Sequence, residues 1–212
     1  ENVHAAYTQY GNKLGKFSFL TGLRLEYTQL KGNVESEFDL EDLEEILGQD
    51  VDFNFDKRYL GLFPTVNLIY ELTESENISL GYNRRINRPR GWFINPFPSR
   101  SSRTNIFQGN PDLDPAFANA FDLGYLKRWK TLTLTSSVYY QRETGSFERV
   151  QESTGITTPD GIEIIRTIPI NLSTNQRYGA EAAVLYNPTR WLRINSSFNF
   201  FRFVTEGEFN DV

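Results

Sequence analysis

Eight stretches of this chain alternate apolar and polar residues: roughly 3–11, 17–30, 58–71, 77–88, 119–128, 131–143, 174–187 and 191–204. A period of two marks a β-strand with one apolar face. The spacing between the stretches constrains the fold most. "GNKLGK", "TESE", "KRWK" and "NPTR" are tight connections rich in Gly, Asn, Pro and charge, as turns require. The pieces between them, 31–57, 89–118 and 144–173, are long. Short and long connections alternate throughout. In an antiparallel meander, that order puts every short turn on one rim and every long loop on the other.

A transmembrane β-barrel has this asymmetry, and a soluble β-sandwich has no reason to keep it so strictly. Charge placement adds a second signal. Phe17, Phe19, Thr21, Leu23, Leu25 and Tyr27 share a parity against Arg24 and Glu26. Leu60, Leu62, Val66, Leu68 and Tyr70 oppose Thr65, Asn67 and Glu71. Tyr178, Ala180, Ala182, Val184 and Tyr186 oppose Glu181, and Leu192, Ile194, Phe198 and Phe200 oppose Arg193, Asn195 and Asn199. A cation facing lipid at the midplane costs about 2–4 kcal/mol, which selects for such sorting. A sheet with one face in water sorts its charges too, so sorting alone leaves both readings open. Tyr70, Tyr125, Trp129, Tyr186 and Trp191 gather at the short-turn ends, as an interfacial girdle would. Pro64 lacks a donor and is awkward in a central strand, which a bulge could absorb. Arg84 shares the parity of Leu80 and Tyr82, a place it can hold only above the lipid.

Composition closes several routes. Without cysteine there is no disulfide framework, thiolate metal site or cysteine nucleophile. The single histidine, His4, reads as an ordinary strand residue. Methionine is absent even at position 1, so the chain reads as a processed product or a fragment. The first residues do not read as a signal peptide, and no apolar run reaches the ~18 residues of a membrane helix. A net charge of −5 and the lack of a basic helix argue against nucleic acid as a partner. No G-x-S-x-G, P-loop, G-x-G-x-x-G or HExxH pattern supports an enzyme.

The long loops differ in sign. From Val34 to Asp56 there are ten Asp and Glu residues and no Lys or Arg. Leu40, Leu43 and Leu47 there have the spacing of one helix face. The run Asp50 to Asp56 superficially resembles a calcium loop but lacks the glycine and final glutamate of an EF-hand, so a solvated acidic loop is the reading and no metal is assigned. Arg84, Arg85, Arg88, Arg90, Arg100 and Arg103 are interleaved with Trp92, Phe93 and Phe97. Such a set suits an anionic or sugar-like ligand, or pairing with the acidic loop. The loop 144–173 reads as a small hairpin turning at Pro159-Asp160-Gly161, with no chemistry of its own.

"RRINRPRGWFINPF", followed by "GNPDLDPAFANAFDLGY", resembles the barrel of TonB-dependent outer-membrane receptors, most closely the outer membrane protein β-barrel family of Bacteroidetes type. Gly109, Asn110, Pro111, Leu113, Pro115, Leu123, Gly124 and Tyr125 match that family's pattern. Ala116 stands where glutamate is usual, and Asp114 where lysine is common. "YLGLFPTVNLIYEL" is similar to a strand of the same family, and the detailed match covers about 59–125.

The resemblance implies an all-β, antiparallel, up-and-down transmembrane barrel of about 22 strands with a plugged lumen. Residues 1–212 would be a single internal segment of about eight strands, with the plug domain outside this chain. It further implies a bacterial outer-membrane location, contact with outer-membrane lipid, and a TonB energy-transducing complex engaged through the missing N-terminal region. A surface lipoprotein is a further expected partner. The implied function is import of a scarce nutrient such as an iron chelate, glycan, peptide or cobalamin, with no cofactor. Candidate ligand contacts are Arg24, Glu26, Asn67, Arg85, Asp122, Glu181 and Arg193 on the inward parity, and Arg90, Trp92, Arg100 and Arg103 in the loop. Two alternatives stay open. One is a small closed eight-stranded barrel with a structural or adhesive role, and the other is a soluble β-sandwich binding module.

Overall fold

The computed structural model describes residues 1–33, 54–99 and 102–207. They form β1 (Asn2–Leu14), β2 (Phe17–Gly32), β3 (Phe55–Thr73), β4 (Glu76–Asn87), β5 (Asn105–Phe107), β6 (Ala116–Arg128), β7 (Leu132–Thr157), β8 (Glu163–Thr189) and β9 (Leu192–Glu206). All eight expected segments are strands. They pair antiparallel in the order β1-β2-β3-β4-β6-β7-β8-β9. The ninth, β5, was not foreseen, and it lies parallel to β8 with Asn105 opposite Ile165. Short turns fall on one rim and long connections on the other, as the spacing requires. The helix-spaced leucines Leu40, Leu43 and Leu47, and the acidic run as far as Asp52, lie outside the described residues.

Register shows what the alternation builds. Residues directly opposed across a ladder point to the same face. One row runs Phe19, Leu68, Leu80, Leu123, Val138, Ala180, Phe200 across seven strands without a polar side chain. The row toward the short turns runs Phe17, Tyr70, Ile78, Tyr125, Ser136, Ala182, Phe198. The row on the other side includes Tyr82, Phe121, Tyr140 and Tyr178. Aromatic residues thus flank a middle row that is aliphatic from Leu68 to Ala180, the layout of a membrane-facing surface.

No described residue outside the sheet covers this belt. Leu62, Leu123 and Phe198 are 47%, 48% and 66% exposed. Leu68 and Val184 are half-buried by their own neighbours within the sheet. A sandwich would bury these side chains against a second sheet about 10 Å away, and none exists among the described residues. That alternative is overturned. So is the closed eight-stranded barrel, because among the described residues β1 pairs only with β2 and β9 only with β8. Fully burying a Leu or Phe gains about 1.5–3 kcal/mol, so an apolar surface of this extent is stable only against hydrocarbon.

The buried apolar residues Leu113, Ala116, Ala118, Val150 and Phe63 lie toward the long-loop rim. The β3–β4 ladder stops at Thr65 opposite Asn83. Beyond it, Arg88 at the end of β4 reaches Thr28 and Tyr59, and Phe117 of β6 stacks on Phe63 with ring centroids 6.5 Å apart. The upper parts of β4 and β6 therefore lean over the inward face of β2 and β3. Arg84 stands in this region, its guanidinium 5.0 Å from the Phe117 ring, which keeps it off the apolar belt. Pro64 is accommodated without a bulge, since the β2–β3 ladder runs through Leu23 opposite Pro64 without a shift. Pro64 begins the stretch of β3 that β4 has left, where a missing donor is accommodated without one.

β7 and β8 are much longer than expected, at 26 and 27 residues. A tilted membrane strand needs only about 9–11. The surplus projects beyond the rim as one hairpin that bends at the register shifts around Gly145 and turns over Thr158–Ile162. The turn at Pro159-Asp160-Gly161 was expected, but the length of ladder beneath it was not.

Candidate functional site

The inward parity carries the polar candidates. Asn67, Gly81, Asp122 and Tyr139 form one row, and Ser137, Glu181 and Asn199 belong to the next row toward the short turns. Gly81 leaves the space between Asn67 and Asp122 open. Arg85 lies opposite Ala118 and shares with Asp122 a shallow cavity of about 170 Å³, also lined by Asn83, Tyr139 and Gln141. The Asn83 Oδ1 in that wall is buried without a hydrogen bond. Glu181 accepts a hydrogen bond from the Ser137 hydroxyl at 3.0 Å. Arg193 lies near the short-turn end of β9, far along the strand from the rest. The structure therefore brings Arg85 and Asp122 together and spreads the other lumen candidates along the wall.

Arg24 and Glu26 form a different unit. Glu26 is only 6% exposed, and Arg24 meets it at 2.7 Å. Arg88 closes on its other oxygen, while its Nε donates to the Tyr59 hydroxyl at 3.1 Å and another nitrogen to the fully buried Thr28 at 3.3 Å. A carboxyl group this buried needs such partners to offset its lost hydration. The cluster ties the end of β4 to β2, and it leaves Glu26 little capacity for a solute. Sequence reasoning noted Arg88 only as one loop arginine among several, because its partner is 62 positions away. At the loop end of the sheet, Arg58 holds the Asp56 carboxyl well below the usual range, with Gln29 and Lys31 adding to the effect.

Above the rim, loop 88–115 is fastened to the β7–β8 hairpin. Gln108 N–H donates to Thr167 O at 3.0 Å and its buried side chain to Pro96 O at 2.6 Å. The Asn110 side chain donates to Pro169 O at 3.1 Å. The Asn171 side chain accepts from the Asp114 N–H at 2.7 Å and donates to Asp114 O at 2.8 Å and to Gly145 O at 2.7 Å. A Cβ at Gly109 would collide with Asn95 O and stand 2.7 Å from Phe93 O, so only glycine fits. Pro111 is buried and Leu113 is 1% exposed, while Pro115 leads into β6. Further along β6, Leu123 faces the belt, Gly124 lies close to Ser79, and the Tyr125 hydroxyl donates to Glu76.

The loop aromatics converge on a cation that the sequence did not single out. The Arg149 guanidinium lies 5.1 Å from Trp92 and 5.8 Å from both Phe93 and Phe107. Trp92 packs on Phe93 and Phe107 and remains 44% exposed. The hairpin, read as carrying no chemistry, thus supplies the centre of the cluster. Arg90 and Arg103 are exposed nearby and form no ion pair among the described residues. Arg100 lies outside the described residues, as does the acidic stretch expected to pair with this loop. The fastening that is described runs to the hairpin instead. No group of carboxylates or histidines able to hold a metal occurs among the described residues.

Comparison with known proteins bears on this arrangement. The FrpB iron transporter of Neisseria meningitidis (F3-3 variant) superposes with a TM-score of 0.63 at 14% identity, over 95% of this chain and 25% of its own. The copper transporter OprC gives 0.65 at 13%, over 94% and 29%. The ferric-catecholate import receptor Fiu of E. coli K12 gives 0.60 at 16%, over 97% and 28%. At these identities the likeness establishes the fold, and this chain spans under a third of each structure. No curated protein sequence matches. The outer membrane protein beta-barrel family model matches residues 1–212. The chain therefore belongs to the outer membrane protein β-barrel family and resides in the bacterial outer membrane.

Proposed function

We propose that this chain forms one sector of a TonB-dependent import receptor, a barrel of about 22 strands around a plug domain. The supporting observation is the division of labour across a single layer: an uninterrupted apolar row outside, polar groups inside, and a braced loop above. A small filled barrel would need neither the open inward face nor the braced loop. The likeness to proteins described as an iron transporter, a copper transporter and a ferric-catecholate import receptor supports the same reading.

In this reading the loop aromatics and Arg90, Trp92 and Arg103 face an arriving solute, with Arg100 as a further contact. Asn67, Arg85, Asp122, Glu181 and Arg193 line the wall along which plug and solute move. Arg24 and Glu26 serve chiefly to position β4. Energy comes through TonB by way of a segment N-terminal to the barrel, and a surface lipoprotein is a further partner. The cargo belongs to the class of scarce nutrients: iron chelates, glycans, peptides or cobalamin. No catalytic step is assigned, because the polar groups are dispersed along the wall rather than convergent.

The test is growth and labelled-nutrient uptake in cells carrying the full-length protein, with and without TonB. Uptake of one nutrient class that disappears in both the gene deletion and the TonB deletion is the expected result. Accumulation that is unchanged in the TonB deletion would overturn the reading.

A further inference from the structure

One corner of the short-turn rim has features that import does not require. On the outward face between β6 and β9 lies a depression of about 440 Å³, floored by Ser136, Ala180 and Ala182 and walled by Leu123, Tyr125 and Phe198. Small side chains in two adjacent rows interrupt a belt otherwise made of large ones. Beside it the β6–β7 and β8–β9 turns abut, the Asn187 N–H donating to Thr131 O at 2.7 Å. These turns read Arg128-Trp129-Lys130 and Arg190-Trp191. Trp129 and Trp191 are 49% and 82% exposed. Arg128, Lys130 and Arg190 are exposed and form no ion pair among the described residues. Lys127 differs, being held by Glu76. The adjacent turn carries one acid, Glu74, next to the Ser75 carbonyl that accepts from Arg128 N–H.

We propose that this corner seats an anionic phospholipid of the periplasmic leaflet, with its phosphate at Lys130 and Arg190 and one acyl chain in the furrow. Charge and length both favour that occupant. Unpaired cations at the interface attract anionic head groups, each strengthening binding by roughly fivefold. Tryptophans beside them stand at head-group depth. Ser136 lies five residues beyond Thr131, about 17 Å along a strand at ~3.4 Å per residue. A tilt of about 40° reduces this to about 13 Å along the membrane normal, within the ~15 Å of one leaflet. A chain whose head group rests on the turns therefore runs through the furrow before it ends.

The inference rests on the outer-membrane location and not on import, so the two fail separately. The experiment is native mass spectrometry of the full-length protein titrated with phosphatidylglycerol, with phosphatidylcholine as the zwitterionic control and inorganic phosphate as competitor. The wild type is expected to prefer phosphatidylglycerol at least roughly tenfold. Lys130→Ser with Arg190→Ser should lower its retention by roughly 25-fold, toward that of phosphatidylcholine. Ser136→Leu with Ala182→Leu should fill the furrow and weaken both lipids, and phosphate should not compete. Equal retention by wild type and charge variant, equal binding of the two lipids, or displacement by phosphate would each overturn the proposal. A wild-type dimer lost in the furrow variant would also overturn it, assigning the furrow to a second copy. If the leucine variant fails to assemble, the charge variant, altered only on exposed turns, still decides.

Discussion

Leu123 and Asp122 are neighbours in sequence and opposites in environment. Leu123 sits in the uninterrupted apolar row, between Leu80 and Val138. Six residues separate it from Trp129 at the short-turn rim, about 16 Å along the membrane normal at ~3.4 Å per residue and ~40° tilt. That is half the ~30 Å hydrocarbon thickness, so Leu123 lies at the midplane. Leu123→Arg should then cost about 2–4 kcal/mol, a factor of roughly 30 to 1,000 in the folding equilibrium. Asp122→Arg places the same side chain on the inward face, beside the open position at Gly81 and the exposed Arg85 cavity, and should cost under about 1 kcal/mol. The assay is urea unfolding of the full-length protein in lipid vesicles, followed by tryptophan fluorescence and by the gel shift of the unboiled barrel. Equal costs for the two substitutions, or a larger cost for Asp122→Arg, would refute the assignment of faces.

Other consequences are local. Asn171→Ala removes two hydrogen bonds between the hairpin and loop 88–115 and a third within the hairpin, and should destabilise the loop by about 1–3 kcal/mol, read as faster amide exchange over 107–114 with the lower barrel unchanged. Gly109→Ala must displace the backbone at Phe93 and Asn95, and is expected to make the loop protease-sensitive at a temperature where the wild type resists. Glu26→Ala leaves Arg88 without its buried partner. Discounted for the partial exposure of Arg88, the cost is about 1–3 kcal/mol by urea midpoint, and Arg88→Ala in the same chain should recover part of it. For Asp56 the folded pKa is depressed, so its contribution is present above the unfolded value and is lost as pH falls through the folded one. Arg58→Gln should raise the Asp56 pKa toward 3.8 in an NMR titration and move that loss to higher pH.

Eight strands and their two faces were legible in the sequence because alternation is a local property that every strand displays on its own. Phe121, Leu123 and Tyr125 declare their side without reference to any partner. β5 could not be read in the same way. Asn105-Ile106-Phe107 is too short to show a period, and its pairing with Ile165–Thr167 depends on how the loop is tied down. The hairpin was underestimated because the register shifts around Gly145 break the alternation at the point where β7 leaves the membrane. Arg149 and Arg88 were passed over for a related reason: their partners Trp92 and Glu26 are distant in sequence, and charge beside aromatics does not say which cation is enclosed. Pro64 is awkward only in a strand paired on both sides, and β4 leaves β3 just there.

The central claim is that the apolar parity meets hydrocarbon while the other faces the lumen. This sequence has no cysteine, so single cysteines placed in turn at residues 120 to 125, in a full-length protein freed of any cysteine elsewhere, report on their own surroundings. With an environment-sensitive fluorophore in vesicles, positions 121, 123 and 125 should give blue-shifted emission quenched by lipid-borne nitroxide, and positions 120, 122 and 124 emission quenched by aqueous iodide. Emission that does not alternate along these six positions, or that alternates with the opposite sign, would contradict the account.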